Sequence, residues 1–223
     1  LGGKYVNQPK LWIKTEKLVR EALEDGKLNF VEIPGEAAFY GPKIDVQFTT
    51  LLGREESMST IQLDFAARER FGLSYIDHTG GENQEVFVIH RAPLSTHERF
   101  VAFLTEHWAG NFPTWISPIQ THVLTISEKQ NNYGAKVANA LEKAGIRTKT
   151  DFSDNTIGKK IRTHRKMRPA YMLIIGEDEA AEETVAIRGR EGNQRNKIKL
   201  DDFVKEILEE ISSRDKNLKL LYS

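Results

Sequence analysis

An imidazole and a guanidinium stand close together where the sequence predicts the junction of a strand and a helix. The apolar run 86–89 predicts a buried strand that leads into His90. Pro93 and Thr96 then predict a helix start, which places Arg99 in the first turns of that helix. A guanidinium is a permanent cation whose planar donors suit a phosphate. We therefore expect His90 and Arg99 to face one site that binds a phosphate-bearing ligand.

The elements before Pro113 indicate an α+β domain. Hydrophobic periodicity predicts a helix that ends near Asp25 and then strands over 29–33, 44–52 and 59–65. Because hairpins dominate this order, we expect an antiparallel sheet backed by helices. Thr60, Gln62 and Asp64 share one face of their strand. Spacing alone leaves open whether this face meets water or lines a site.

After Pro113 strands and helices alternate, which is typical of an α/β domain with parallel crossovers. The pattern predicts strands over 119–126, 146–151, 171–175 and 184–188, and helices over 132–144, 157–167 and 200–212. The tail from Asp215 is expected to be loose.

Composition limits the classes of function. The 223 residues carry 32 Lys+Arg and 32 Asp+Glu, so binding of a nucleic acid would need a local basic patch. The absence of cysteine excludes disulfides and thiolate metal sites within this chain. The sequence has neither a bilayer-spanning apolar run nor a secretory signal, so we expect a cytoplasmic protein without a membrane partner. The start at Leu1, without Met, suggests that an upstream part is missing.

The predicted helix over 157–167 and its end are strongly basic. The cations are Lys159, Lys160, Arg162, Arg165, Lys166 and Arg168. Such a face is either solvated or a track for phosphates, and the residues alone favour the solvated face. There is no phosphate-binding glycine loop, no dinucleotide fingerprint and no zinc-type spacing, and a lone strand-end histidine is more often a core or surface residue than a metal ligand.

Eight motifs together carry a resemblance to a known family. They are GEAAFYGPKID (35–45), STIQLDF (59–65), IHRA (89–92), ERF (98–100), FPTWISPIQ (112–120), AGIRTKTD (144–151), IGKKIR (157–162) and VAIR (185–188). With the strand–helix pair at His90 as motif 3, the chain resembles the C-terminal part of the threonyl-tRNA synthetases, which are class II aminoacyl-tRNA synthetases. The resemblance implies the end of an α+β antiparallel-sheet catalytic domain over 1–113. It implies an α/β three-layer anticodon-binding domain with a mixed sheet over 114–223.

The resemblance also assigns site residues near motif 3. His90 matches one of three protein ligands of a catalytic-domain zinc ion, whose other two ligands would lie upstream. Arg99 matches the arginine that contacts the phosphates of ATP. The positions that line or neighbour the amino-acid pocket are Tyr40, Lys43, Gln62 and Thr96. In this family zinc binds the amino and hydroxyl groups of threonine, so valine leaves a coordination position unfilled and is rejected.

The activity that the resemblance implies is attachment of threonine to its tRNA. The threonine carboxylate attacks the α-phosphate of ATP, with Mg²⁺, and the terminal ribose of the tRNA then takes the acyl group from threonyl-adenylate. The partners are threonine, ATP, threonine tRNA and a second copy in a homodimer of the full-length enzyme. Motifs 1 and 2 are absent, so we expect this chain alone to be inactive.

In the C-terminal half the resemblance points to anticodon recognition. Glu179 and Arg188 match positions that read anticodon bases, and Asp154 and Arg162 lie in the corresponding neighbourhood. Arginine can donate to two acceptors on a base edge, and a carboxylate can accept from an exocyclic amino group.

The sequence departs from the family pattern at three positions, and two alternatives stay open. Ser57 replaces a usual Gln, Ser95 replaces a usual Gly, and Thr96 replaces a usual Ser. The first alternative is a non-catalytic, synthetase-like protein that binds RNA. The second is another synthetase of class IIa, such as a prolyl or glycyl enzyme, against which IHRA and STIQLDF favour threonine.

Overall fold

A computed structural model describes residues 3–221, so the predictions about Leu1 and the last two residues of the tail lie outside the described residues. The chain folds into two compact units, 1–103 and 104–223. The expected domain boundary between 113 and 114 stays a prediction. None of the helices over 3–221 is both long and apolar enough to cross a membrane.

In its described part, the first unit contains a three-stranded antiparallel sheet, a separate two-stranded sheet and three helices. Its strands are β1 (Lys43–Thr49), β2 (Glu55–Asp64), β3 (Tyr75–Ile76), β4 (Glu82–Asn83) and β5 (Val88–Ala92). Its helices are α1 (Pro9–Asp25), α2 (Ala67–Phe71) and α3 (His97–His107), the last of which runs into the second unit. Strands β1, β2 and β5 pair antiparallel in that order, and β3 pairs with β4. The predicted antiparallel sheet is confirmed.

Aromatic packing anchors α1 beside the sheet. Trp12 and Phe65 are buried and meet edge to face, with ring centroids 5.1 Å apart. The indole nitrogen of Trp12 donates to Val6 O at 2.9 Å, which satisfies its one polar atom. The strand predicted over 29–33 does not form, and this prediction is wrong. Val31 and Ile33 are exposed there, because the segment has neither a pairing partner nor a surface to cover it.

The second unit is an α/β domain around a five-stranded mixed sheet. Its strands are β6 (Thr121–Thr125), β7 (Thr148–Asp151), β8 (Tyr171–Ile175), β9 (Thr184–Gly189) and β10 (Gln194–Lys199). Its helices are α4 (Asn131–Lys143), α5 (Ile157–Arg165), α6 (Glu177–Glu182) and α7 (Leu200–Ser212). The sheet order is β10-β9-β8-β6-β7, with β7, β6 and β8 parallel and β9 and β10 antiparallel. The mixed sheet is confirmed.

The core of this unit lies between the sheet and its helices. Val123, Leu173 and Ile187 on the three central strands are fully buried, as are Leu141 of α4 and Ile207 of α7. Full burial of such side chains stabilises the domain by roughly 1.5–3 kcal/mol each. The parallel strands are therefore held by a well-packed core, and the loops at their ends project from it.

A buried carboxylate holds the described part of the tail, where the sequence predicted a loose segment. Glu210 of α7 accepts hydrogen bonds from the Thr114 hydroxyl, from the Tyr171 hydroxyl at 2.7 Å and from Lys219 N at 2.9 Å. Burial, together with the negative Glu210, raises the pKa of Tyr171. Leu220 is buried as well, so the prediction is wrong for the described part of the tail.

Two arginines hold the FPTWISPIQ segment in place within the second unit. Arg147 donates to Ser117 O at 2.9 Å and to Trp115 O at 3.0 Å. Arg190 donates to Phe112 O at 2.5 Å, and burial lowers its pKa to about 10. These bonds satisfy carbonyls that a loop would otherwise leave unpaired. The motif therefore has a structural role in addition to any functional one.

Candidate functional site

Three predicted site residues lie side by side on one face of the first sheet. Lys43 of β1 is paired with Gln62 of β2, and Gln62 is in turn paired with His90 of β5. Directly opposed residues of antiparallel strands point to the same face, so these side chains form a row across the three strands. Thr60 and Asp64 alternate with Gln62 along β2 and share that face. The polar face of β2 is therefore part of a site-like cluster.

A buried carboxylate orients His90. Its Nε2 lies 2.9 Å from Asp64 Oδ2, while Asp64 Oδ1 accepts from the backbone N–H groups of Ala66 and Ala67 at 2.8 and 2.9 Å. Asp64 is 7% exposed, whereas the His90 side chain is 47% exposed. A carboxylate on one ring nitrogen fixes the ring and directs the other nitrogen outward, which is the usual arrangement behind a metal-binding histidine. Spacing alone gave Asp64 no such role.

Tyr40 extends the cluster toward the turn before β1. Its hydroxyl donates to Gln62 Oε1, and its ring meets that of His90 edge to face with centroids 5.5 Å apart. A Cβ at Gly41 would lie 1.9 Å from Leu63 O, so only glycine lets this turn come so close to β2. The structure therefore brings Tyr40, Gln62 and His90 together.

Lys43 is held in an ion pair beside this group. Its Nζ lies 2.5 Å from Asp45 Oδ2, and the Thr60 hydroxyl donates to the other oxygen of the same carboxylate. The Lys43 side chain is only 26% exposed. A lysine fixed in this way presents a positioned cation to the polar face. Its predicted place near the amino-acid pocket stays a prediction.

Thr96 and Arg99 lie at the start of α3. Thr96 immediately precedes the helix, and its hydroxyl accepts from Arg99 N at 3.3 Å, which is the geometry of an N-cap. The Arg99 guanidinium is exposed and makes no hydrogen bond to any described residue. Ser95 has a φ of 56°, in the left-handed region that favours glycine. The departure from the family's glycine therefore falls at a position where glycine would be unstrained.

The residues over 3–221 do not contain a complete metal site. No group of three or more His, Cys, Asp or Glu side chains within that range is arranged to hold a metal ion. The exposed His90, oriented by Asp64, fits one ligand position of a zinc ion. The zinc ion and its remaining ligands stay a prediction.

In the second unit, two predicted RNA-reading residues project from the same edge of the sheet. Asp154 follows β7 and Glu179 follows β8, and these parallel strands flank β6. Two strand spacings amount to about 10 Å. Glu179 Oε2 accepts from Gly176 N at 2.9 Å, so this carboxylate also closes the first turn of α6. Asp154 is exposed and makes no hydrogen bond to a described residue.

Arg188 lies farther along the sheet. It is paired with Met172 near the start of β8, whereas Glu179 follows the end of that strand. Gly176 lies four positions after Met172, which corresponds to about 13 Å along the strand direction. Arg188 Nη1 donates to Gln194 Oε1 at 3.3 Å. The structure therefore does not place Arg188 next to Glu179.

The basic helix is less uniform than its sequence indicated. Lys160 is 1% exposed, and its Nζ donates to Thr125 O at 2.8 Å and to Asp151 O at 3.3 Å. It therefore anchors α5 and does not belong to the basic face. Arg168 lies beyond the helix and donates to Ala109 O. The other exposed cations of α5 and its end are Lys159, Arg162, Arg165 and Lys166.

Two histidines at the contact between α5 and β6 were missed by sequence reasoning. His122 of β6 is fully buried, and its ring lies against that of His164, with centroids 4.5 Å apart. His164 Nε2 lies 2.6 Å from Asp151 Oδ2. Burial above all, with the neighbouring His164 and Lys149, lowers the pKa of His122 to about 4. Both of its ring nitrogens lack a hydrogen-bond partner among the described residues.

Known proteins match this chain over nearly all of its length. The sequence model of the anticodon binding domain family matches residues 116–210. A threonine–tRNA ligase of Clostridium botulinum is 44% identical over 213 residues, which are 96% of this chain and 33% of that protein. The chain thus spans about a third of the length of the curated relatives it matches.

Two solved structures agree with this similarity. The RNA binding domain of threonyl-tRNA synthetase from Cryptosporidium parvum is 35% identical, with a TM-score of 0.85 over 97% of this chain and 54% of that one. A chain assigned as a threonyl-tRNA synthetase from Aeropyrum pernix is 27% identical, with a TM-score of 0.72 over 97% of this chain and 53% of that one. By these matches the chain is similar to threonyl-tRNA synthetases over nearly all of its length, spans about a third of the length of its bacterial relatives, and matches the anticodon binding domain family over 116–210.

Proposed function

We propose that this chain serves in a threonine–tRNA ligase, where its first unit supplies part of the aminoacylation site and its second unit reads the anticodon. The observation that carries the proposal is the 44% identity to a threonine–tRNA ligase over 96% of the chain. The row of Lys43, Gln62 and His90 on one sheet face supports the first role. A cytoplasmic location and a homodimer of the full-length protein belong to the same proposal.

In the aminoacylation site, the chain's own residues bind and orient the reactants. Arg99, an exposed cation in the first turn of α3, pairs with a phosphate of ATP, which reaches the site with Mg²⁺. Tyr40 and Gln62 form one hydrogen-bonded wall for the amino acid. His90, held by Asp64, would be one ligand of a zinc ion that supplies a Lewis-acid position for the threonine amino and hydroxyl groups. Catalysis by these residues is positioning and charge neutralisation.

In the second unit, carboxylates at the edge of the sheet face unpaired bases. Asp154 and Glu179 accept from exocyclic amino groups, and Arg188 donates to acceptors on a base edge. The exposed cations of α5 contact the RNA backbone, which contributes affinity without sequence preference.

Amino-acid-dependent exchange of pyrophosphate into ATP by the full-length protein tests the enzymatic role. We expect exchange with threonine and far less with valine, proline or glycine. Arg99→Ala should reduce the threonine-dependent rate by at least about tenfold, because it removes a charged phosphate contact. Lys143→Ala, an exposed cation on α4, is the matched control and should leave the rate unchanged.

The same assay distinguishes the alternatives. Exchange with proline or glycine in place of threonine would assign the protein to another class IIa synthetase. Binding of tRNA without exchange for any amino acid would support the non-catalytic paralogue, for which Ser57 and Ser95 are the motivating departures. Zinc content of wild type and His90→Ala, measured on the same protein, tests the proposed metal ligand.

A further inference from the structure

Hydrogen bonds join the two ends of α5 through the loop that precedes it. Asp151 Oδ2 lies 2.6 Å from His164 Nε2, and Asp151 Oδ1 accepts from the Ser153 hydroxyl at 2.6 Å. Ser153 Oγ accepts from Asn155 Nδ2 at 3.0 Å, and Asn155 Oδ1 accepts from Lys159 Nζ at 2.7 Å. The set therefore runs from the last turn of α5, through the loop, and back to its first turn.

The direction of the central bond follows from the charge on Asp151. Burial raises the pKa of this carboxyl, but the hydrogen bonds from Ser153 and His164 have the larger, opposite effect and lower the pKa to about 2. Near neutral pH the group is a carboxylate and can only accept. His164 therefore donates from Nε2, and its tautomer and ring orientation are fixed.

Asp154 lies inside this set of bonds without taking part in it. Its neighbours Ser153 and Asn155 are both tied down, so its backbone is held on either side. Its own carboxylate is exposed and makes no hydrogen bond to any residue the structure describes. A fixed backbone that presents a free acceptor is suited to a ligand that arrives from outside.

Asp151 also sets the position of α5. Its backbone carbonyl accepts from the buried Lys160 at 3.3 Å, and its side chain meets His164 one turn later. Arg162 lies between these two anchors and is exposed, with no hydrogen bond to a described residue. Asp151 therefore links the loop that carries Asp154 to the helix that carries Arg162.

We propose that Asp151 and His164 are a positioning pair that sets Asp154 and Arg162 for reading the anticodon. The inference rests on the proposed anticodon-binding function and adds the residues that pre-organise it. The pair's side chains are only 17% and 14% exposed, so they act through the loop and the helix and not by their own contact with RNA. Their loss should therefore lower discrimination between anticodons more than general affinity for tRNA.

Two substitutions of His164 test the pair with matched chemistry. The Gln amide nitrogen reaches about as far as imidazole Nε2, so His164→Gln keeps a donor for Asp151. The Asn amide is shorter, so His164→Asn keeps polarity but loses that bond. Each variant of the whole chain is titrated, at one stated salt concentration, with threonine tRNA and with the same tRNA carrying a swapped anticodon. Circular dichroism melting checks that each variant is folded.

We expect His164→Asn to weaken binding of the native tRNA by about tenfold and that of the swapped tRNA by less than about twofold. His164→Gln should keep the wild-type ratio. Ser153→Ala, which removes two bonds of the set at an exposed position, should lower the ratio in the same direction and is informative if His164→Asn does not fold.

Three results would overturn the proposal, and they have different meanings. If wild type does not discriminate between the tRNAs, both the anticodon-binding function and the positioning pair are wrong. A second case is that wild type discriminates and Asp154→Ala reduces the preference for the native anticodon. If His164→Asn and Ser153→Ala leave that preference unchanged, only the positioning pair is wrong. If both His164 variants weaken both tRNAs equally, the pair has a merely structural role.

Discussion

His122 should make the second unit sensitive to mild acid. The side chain is fully buried in β6, against His164, and neither ring nitrogen has a partner among the described residues. Burial of the imidazole, then the nearby His164 and Lys149, lower its pKa from 6.5 to about 4, and Asp151 opposes this shift only weakly. Between these two pH values the histidine is charged in the unfolded chain and neutral in the folded one.

The sign and size of the effect follow from proton linkage. The unfolded state binds more protons between pH 6.5 and 4, so the free energy of unfolding falls as the pH drops through this range. Because the pKa of His122 is lower by about 2.5 in the folded state, and each pKa unit is worth 1.36 kcal/mol, the free energy of unfolding changes by about 3 kcal/mol. Below pH 4 the folded state also takes up the proton, and this contribution stops growing.

Urea unfolding at pH 7 and pH 4, followed by circular dichroism, measures the effect in wild type and in His122→Leu. We expect wild type to lose about 3 kcal/mol more than the variant over this range. His78→Leu, at an exposed turn, is the control and should lose as much as wild type. Proton NMR of the His122 ring gives its pKa directly. A midpoint near 6.5, or an equal loss in His122→Leu, would show that His122 is not the source of the acid sensitivity.

Three further predictions concern separate parts of the chain. Ser95→Gly should raise the free energy of unfolding by about 0.5–1 kcal/mol, because φ is 56° there; a decrease in urea unfolding would contradict this. Glu210→Ala should lower it by at least about 2 kcal/mol, because buried donors on Thr114 and Tyr171 lose their acceptor, and a smaller loss would show that water replaces it. Arg188→Ala should weaken binding of threonine tRNA but not of an anticodon-swapped tRNA; equal weakening of both would identify a phosphate contact.

The face of β2 shows how far sequence reasoning could go in the first unit. Strand alternation alone placed Thr60, Gln62 and Asp64 on one face. Alternation does not give register, however, and the pairing of Gln62 with both Lys43 and His90 required the structure. For the same reason the contact between Asp64 and His90, which are far apart in sequence, could not be predicted from local pattern.

In the second unit, the helical period of α5 indicated which of its residues face inward, but the charge of Lys160 concealed this. Ile157, Lys160, Ile161 and His164 occupy i, i+3, i+4 and i+7, the spacing of an inward face. Counting Lys160 with the surface cations overlooked that period. The burial of Lys160 depends on hydrogen bonds from its ammonium group to two carbonyls at strand ends. These tertiary contacts cannot be recognised in the local sequence.

The errors at 29–33 and in the tail also have tertiary causes. An apolar run becomes a strand only if another strand pairs with it, and 29–33 has no such partner among the described residues. The polar tail is fixed by the buried Glu210, which lies on another element and accepts from Lys219 N. Propensity describes neither of these long-range contacts.

Titration of this chain with threonine tRNA and with the same tRNA carrying a swapped anticodon, at several stated salt concentrations, tests whether the second unit reads the anticodon. Sequence-specific contacts from Asp154, Glu179 and Arg188 predict a preference of about tenfold or more for the native anticodon that persists as salt rises. Equal affinity for both tRNAs, falling steeply with salt, would mean that only the exposed cations of α5 bind RNA and that the second unit does not read the anticodon.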